Sequence, residues 1–202
     1  MDIKSSELII NPDGSVYHLN VKPSDIATNI IFVGDQNRVE KVSQHFDTIE
    51  FTTQKREFKT HTGTYKGKRF SVISTGIGPD NIDIVLNELD ALVNIDFETR
   101  EVKPQLTSLN IVRFGTSGSL QADIPVDSFV ASEYTIGLDN MMRSYVIEDV
   151  SETEIENAFI AHTNWDAKKG RPYVFKSGKE LSDKFKDVAG FHLGFTATAG
   201  GD

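Results

Sequence analysis

The chain has 202 residues and no cysteine, and 30 acidic residues against 21 basic ones give a formal charge of −9. At roughly 150 residues per domain this length suits a single soluble globular domain. A disulfide framework, a thiolate metal site and a cysteine nucleophile are excluded. No apolar run is long enough to cross a bilayer, and MDIKSSELIINPDG lacks the basic region and apolar core of a signal peptide, so the expected compartment is the cytoplasm. The charge is spread over both halves without a basic stripe, so neither nucleic acid nor membrane is an expected partner. An anion bound by such a chain has to be held by a few focused arginines and backbone amides.

Ser15 to Val21 alternates and reads as an N-terminal strand or extended arm. Asn29 to Val33 is a compact apolar run closed by Gly34-Asp35, the pattern of a buried strand entering a turn. Val39, Val42 and Phe46 are spaced as on a helix face across 37–46. Strand-rich segments follow at 49–53, 56–65 and 69–74, with Lys66-Gly67-Lys68 as a hairpin turn between the last two. After Thr75-Gly-Ile-Gly-Pro79, the positions Ile82, Val85, Leu86, Leu89, Leu92 and Val93 predict an amphipathic helix over 81–93. Residues 94–107 are polar and read as a surface excursion. Leu109 to Phe114 and Val126 to Tyr134 read as strands, and the pattern weakens from Gly137 to about Lys169. Ser177 to Val188 reads as a helix with Ser177 or Ser182 as its cap, and His192 to Ala197 as a strand before Gly200-Gly201-Asp202.

Three buried strands end in glycine turns: Gly34-Asp35, Thr75-Gly76-Ile77-Gly78 and Gly115-Thr116-Ser117-Gly118. This is the sequence form of an open α/β sheet, whose ligands sit beyond the carboxyl ends of the strands. In Gly34-Asp35-Gln36-Asn37-Arg38 a backbone N–H and the Arg38 guanidinium can share one phosphate. The same pattern also describes an ordinary strand–helix turn with a solvated arginine. Arg113 lies near the end of an apolar strand, and a buried arginine needs an anion or a dense set of acceptors. Thr116 and Ser117 add hydroxyls there, which favours an anion site over a structural ion pair. Arg56-Glu57-Phe58 and His18 carry little by themselves: one reads as a solvated charge pair, the other as a structural histidine.

The order of the pieces is more specific than any one of them. HL at His18, GDxxRVEKV, REF, STGIG, R-x-GT-x-G and GFTAT, in this order over nearly the whole chain, resemble the nucleoside phosphorylase superfamily, closest to its uridine phosphorylase branch. The resemblance implies a three-layer α/β/α domain with a central mixed sheet. It implies phosphate-dependent cleavage of a pyrimidine nucleoside such as uridine to a free base and ribose 1-phosphate, with inorganic phosphate as co-substrate and no other cofactor or metal. It places phosphate on Gly34, Arg38, Arg56, Arg113 and Thr116, with Arg113 and Thr116 as the catalytic pair. It places the nucleoside on His18, Thr116, Phe195 and Thr198. In that family the residues matched by Arg56 and His18 reach across a subunit interface, so a homo-oligomer with shared sites is expected, a dimer or dimers assembled into a hexamer. Glu57 matches a position that helps hold a monovalent cation in some members.

Departures accompany the match. Gln36-Asn37 stands where the family usually has Pro-Asp, and Pro79-Asp80 follows STGIG. The family continues beyond GFTAT with residues that read the base and grip the ribose hydroxyls, and this sequence stops at Asp202. The expectation is one phosphorylase-like domain over 1–202, incomplete on its C-terminal side, with the chain itself inactive or weak. A fragment of a longer protein or a truncated coding sequence is favoured over a naturally shortened paralogue. The alternative function is a catalytically defective paralogue that binds phosphate or nucleoside, or an assembly subunit.

Overall fold

The computed structural model describes residues 3–199, and the closing Gly200-Gly201-Asp202 lies outside them. Although no linker composition divides the sequence, the chain forms two compact units, Met1–Thr116 and Ser117–Asp202.

The first unit holds β1 (Asn29–Val33), α1 (Gln36–Ser43), β2 (Thr48–Lys55), β3 (Phe58–Tyr65), β4 (Lys68–Ser74), α2 (Pro79–Asn94), β5 (Ile95–Asp96), β6 (Glu101–Val102) and β7 (Asn110–Phe114). Five strands make a mixed sheet in the order β2-β3-β4-β1-β7. β1 runs parallel to β4 and β7, whereas β2, β3 and β4 are antiparallel neighbours. Alternation along the strands explains the layering. Ile30, Phe32 and Ile73 pack with Val85, Leu89 and Leu92 of α2. Ile31, Val33 and Val72 point the other way and pack with Val39 and Val42 of α1. The sheet is thus covered on both faces, as the expected α/β/α arrangement requires. The Lys66-Gly67 hairpin turn forms as expected, with φ of 48° and 74° at its two residues.

Two readings change in this unit. Ser15 to Val21 is a hydrogen-bonded turn and not a strand: the Val16 N–H donates to Val21 O at 3.0 Å and the Asn20 N–H to Val16 O at 3.1 Å. Val16, Leu19 and Val21 are fully buried, so the apolar spacing reflects a coiled arm pinned on the core. The polar stretch after α2 contains the β5–β6 ribbon. Its turn is built by the Asp96 carboxylate, which accepts the N–H of Glu98 and of Thr99, each at 2.9 Å. Those donors hold the Asp96 carboxyl below its usual range.

The second unit holds β8 (Phe129–Gly137), α3 (Thr153–Thr163), β9 (Tyr173–Lys176), α4 (Lys179–Lys186) and β10 (Phe191–Thr198). Its sheet order is β10-β8-β9, with β10 parallel and β9 antiparallel to β8. α3 arises where the apolar pattern is weak and β9 just beyond that stretch, and a charge cluster joins them. Glu156 of α3, only 1% exposed, meets Arg143 at 2.9 Å and Arg171 at 3.0 Å. It also accepts the Val174 N–H of β9 at 3.2 Å. α4 starts after Gly178 without a side-chain cap. The expected caps bond elsewhere: Ser177 Oγ donates to Ser132 O, and Ser182 Oγ to Lys179 O.

Leu89 is fully buried against the five-stranded sheet. Leu89→Ala is expected to lower the stability of the first unit by about 2–5 kcal/mol, read from urea denaturation followed by circular dichroism; a change under about 1 kcal/mol would contradict this core.

Candidate functional site

Parallel register places three strand ends side by side. Val33 pairs with Ser74 on one side and with Phe114 on the other. The glycine turns after β1, β4 and β7 therefore open at one end of the sheet. The Thr75 N–H donates to Val33 O at 2.9 Å, tying two of the turns together.

Gly34 leads into α1, which is capped by Asp35: its carboxylate accepts the Asn37 N–H at 2.6 Å. Arg38 follows in the first turn and is partly buried. Arg113 comes from the end of β7. A Cβ added at Gly34 would lie 3.9 Å from Arg113 Nη2, and one at Gly115 only 2.2 Å from Nη1. The guanidinium thus folds back over its own turn and beside Gly34, in space that only a missing side chain leaves open. Among the described residues neither the Arg38 nor the Arg113 guanidinium has an ion-pair or hydrogen-bond partner, and the N–H groups of Gly115 and Thr116 have none either. Two cations and unpaired donors share this sheet end with the carboxylates of Asp35 and of Glu57, whose side chain packs against Gly76, and the free Arg113 guanidinium and amides suit a small anion.

Arg113 is exposed, not buried as the apolar strand suggested. The reason is its strand: β7 is an edge of the five-stranded sheet. Its availability to a ligand therefore comes from its free guanidinium rather than from an unmet burial cost. Thr116 is also exposed, at the end of the first unit.

Arg56 lies in the two-residue loop joining β2 to β3, outside the strand expected for it, with φ of 54°. A non-glycine residue in the left-handed region costs about 1–2 kcal/mol. The loop reaches the same sheet end as the glycine turns, because β3 is antiparallel to β4. Ser74 Oγ donates to Glu57 O at 2.6 Å, and Gln36 Nε2 donates to Arg56 O at 2.9 Å. Gln54 Nε2 donates in turn to Gln36 Oε1 at 2.7 Å. The Arg56 guanidinium lies 5.9 Å from the centre of the Tyr17 ring, and Lys55 Nζ lies 4.2 Å from it. The His18 ring meets the same tyrosine edge-on at 4.9 Å. Arg56 and His18 therefore share one aromatic platform.

Three contributors escaped the sequence reading. Gln36 was noted only as a departure and Tyr17 not at all. Glu88 grips His18 through its ring and its backbone N–H. A signal for Glu88 exists: it falls three residues after Val85 and four before Leu92, on the core-facing side of α2, where a carboxylate needs a partner.

Phe195 and Thr198 belong to the second unit. Phe195 stacks on Tyr134 with centroids 4.8 Å apart and planes at 14°, yet remains 54% exposed on the edge strand β10. Thr198 is exposed, and its carbonyl accepts the Leu138 N–H at 2.9 Å.

Ser43 Oγ lies 2.8 Å from His61 Nδ1, the spacing of a nucleophile and its base. No hydrogen bond orients the other ring nitrogen among the described residues, and the pair joins α1 to β3. Burial first, then Lys59, holds the His61 imidazole below its ordinary value of 6.5, with Glu40 opposing. Folding therefore disfavours its protonated form. From 6.5 down to the depressed folded value the unfolded chain binds more protons, so stability falls with pH through that window. The thermal midpoint is expected to drop on acidification across it, and His61→Gln to flatten the drop; an unchanged profile in the variant would remove His61 from the account.

No helix among the described residues is long and apolar enough to cross a membrane. A family model described as the phosphorylase superfamily matches residues 28–201. A uridine phosphorylase of Thermococcus kodakarensis is 31% identical over 159 residues, 77% of this chain and 52% of that protein. A DeoD-type purine nucleoside phosphorylase of Listeria monocytogenes is 33% identical over 170 residues, 83% of this chain and 67% of that protein. The crystal structure of a Trypanosoma brucei nucleoside phosphorylase, described as showing uridine phosphorylase activity, superposes with a TM-score of 0.84 at 31% identity, covering 96% of this chain and 69% of that one. The chain spans about half the length of the uridine phosphorylase relative, 52%.

Proposed function

The chain belongs to the phosphorylase superfamily, and from that premise we propose that it carries the phosphate-binding part of a nucleoside phosphorylase site, for cleavage of a pyrimidine nucleoside such as uridine to free base and ribose 1-phosphate. The observation that carries the reading is the Arg113 guanidinium over Gly34 and Gly115 at the carboxyl ends of parallel strands.

Phosphorolysis breaks the C1′–N bond through an oxocarbenium-like transition state with phosphate as nucleophile. The protein's task is to hold a dianion against the sugar face in reacting geometry. Arg113 and Arg38 supply charge, and Thr116 with the Gly34 and Gly115 amides supplies directed donors. Gly34 and Gly115 let the backbone approach the anion closely. His18 binds the sugar 5′-hydroxyl, and Arg56, fixed beside it on Tyr17, adds charge to the phosphate. In the proposed assembly these two residues serve the site of a neighbouring copy, and the shared Tyr17 platform supports their delivery together. The choice of uridine over a purine nucleoside rests on the uridine phosphorylase relative and the solved neighbour.

Phosphate is expected to raise the melting temperature of the chain, and Arg113→Ala to weaken phosphate binding by roughly 10- to 100-fold, the worth of about 1.5–3 kcal/mol for a charge-assisted contact. Isothermal titration with inorganic phosphate reads this, and wild-type affinity in the variant would retire the site. Phosphate-dependent release of uracil from uridine, followed by its ultraviolet absorbance, tests the reaction; release that does not depend on phosphate would overturn it. Inosine run beside it tests the base preference.

A further inference from the structure

Glu88 is the buried acid of α2, 7% exposed, and the reaction described above gives it no part. Its carboxylate accepts the His18 N–H at 2.8 and 3.1 Å and the Leu19 N–H at 2.8 Å. Oε1 also lies 2.8 Å from His18 Nδ1. The backbone contacts alone would anchor the N-terminal arm. The ring contact is additional and acts on one property, the orientation and tautomer of the imidazole.

The geometry points to Glu88 as the positioning residue for His18, holding the ring as its Nδ1–H tautomer and leaving Nε2 as an acceptor for the hydroxyl of a sugar. A carboxylate only accepts hydrogen bonds, so the nitrogen that faces it carries the proton. A neutral imidazole has one N–H, and Nε2 then offers a lone pair. Tyr17 and Phe58 meet the ring edge-on at 4.9 and 6.3 Å, at 87° and 77°, and limit its rotation. The His18 side chain is still 26% exposed, so a ligand can reach it. The ligand class is a hydroxyl donor, and its identification as the nucleoside 5′-hydroxyl rests on the function proposed above.

The tautomer can be read without turnover, by imidazole nitrogen NMR on the full chain in alkaline solution. Wild-type His18 is expected to show a protonated Nδ1 and a bare Nε2. In Glu88→Gln, with its fold checked by the amide spectrum, the proton is expected on Nε2 in a large share of molecules. An Nε2–H form in the wild type, or a variant spectrum identical to it, overturns the assignment; should the variant fail to fold, the wild-type tautomer alone decides. Calorimetric titration with uridine and with 5′-deoxyuridine separates the two proposals. Tighter binding of uridine supports both, whereas equal affinity with the Nδ1 proton in place retires the sugar contact and leaves the role of Glu88 standing.

Discussion

The parallel pairing of β1 with β4 and β7 is the constraint on which the site depends. It sets Val33 level with Ser74 and Phe114, so three separate turns open at one height. Register in a buried parallel sheet is specified by its side chains, because a slip by one residue exchanges the two faces. Here that slip would send Ile30 and Phe32 toward α1, and Ile31 and Val33 toward α2. The apolar core and the alignment of Gly34 with Gly115 are therefore consequences of one pattern.

In the proposed site Arg113 holds phosphate from an edge strand. Within a central strand its charge would be covered on both sides and would call for a permanent counter-ion. At the edge, folded over Gly115, it keeps its charge and its donors without a built-in partner. Arg56 follows a different logic. Its backbone sits in the left-handed region at φ of 54° and is held there by the Gln36 amide on its carbonyl. The residue that departs from the usual family turn is thus the one that links the turn to the hairpin tip.

The strongly periodic elements could be read from sequence. α2 announced itself through six apolar positions, and β1 through its unbroken apolar run. The glycine turns share one end of the sheet, as their positions after buried strands implied. What escaped has a common cause: the interactions are polar, buried and distant along the chain. α3 and β9 depend on Glu156 between Arg143 and Arg171, and no apolar rhythm reports such a cluster. The N-terminal arm alternates like a strand, yet its turn closes through Val16 and Val21. Arg113 was misjudged because an apolar strand sequence does not say whether the strand is central or at an edge.

The grip of Glu88 on the arm has a consequence for how order is acquired. It joins positions separated by 70 residues. Closing so long a loop costs chain entropy that local turns do not pay. The arm's own hydrogen bonds are short-range, but its docking needs α2 already in place. His18 is thus held by a helix that lies much later in the chain, and the docked geometry of the N-terminal segment requires α2 behind it.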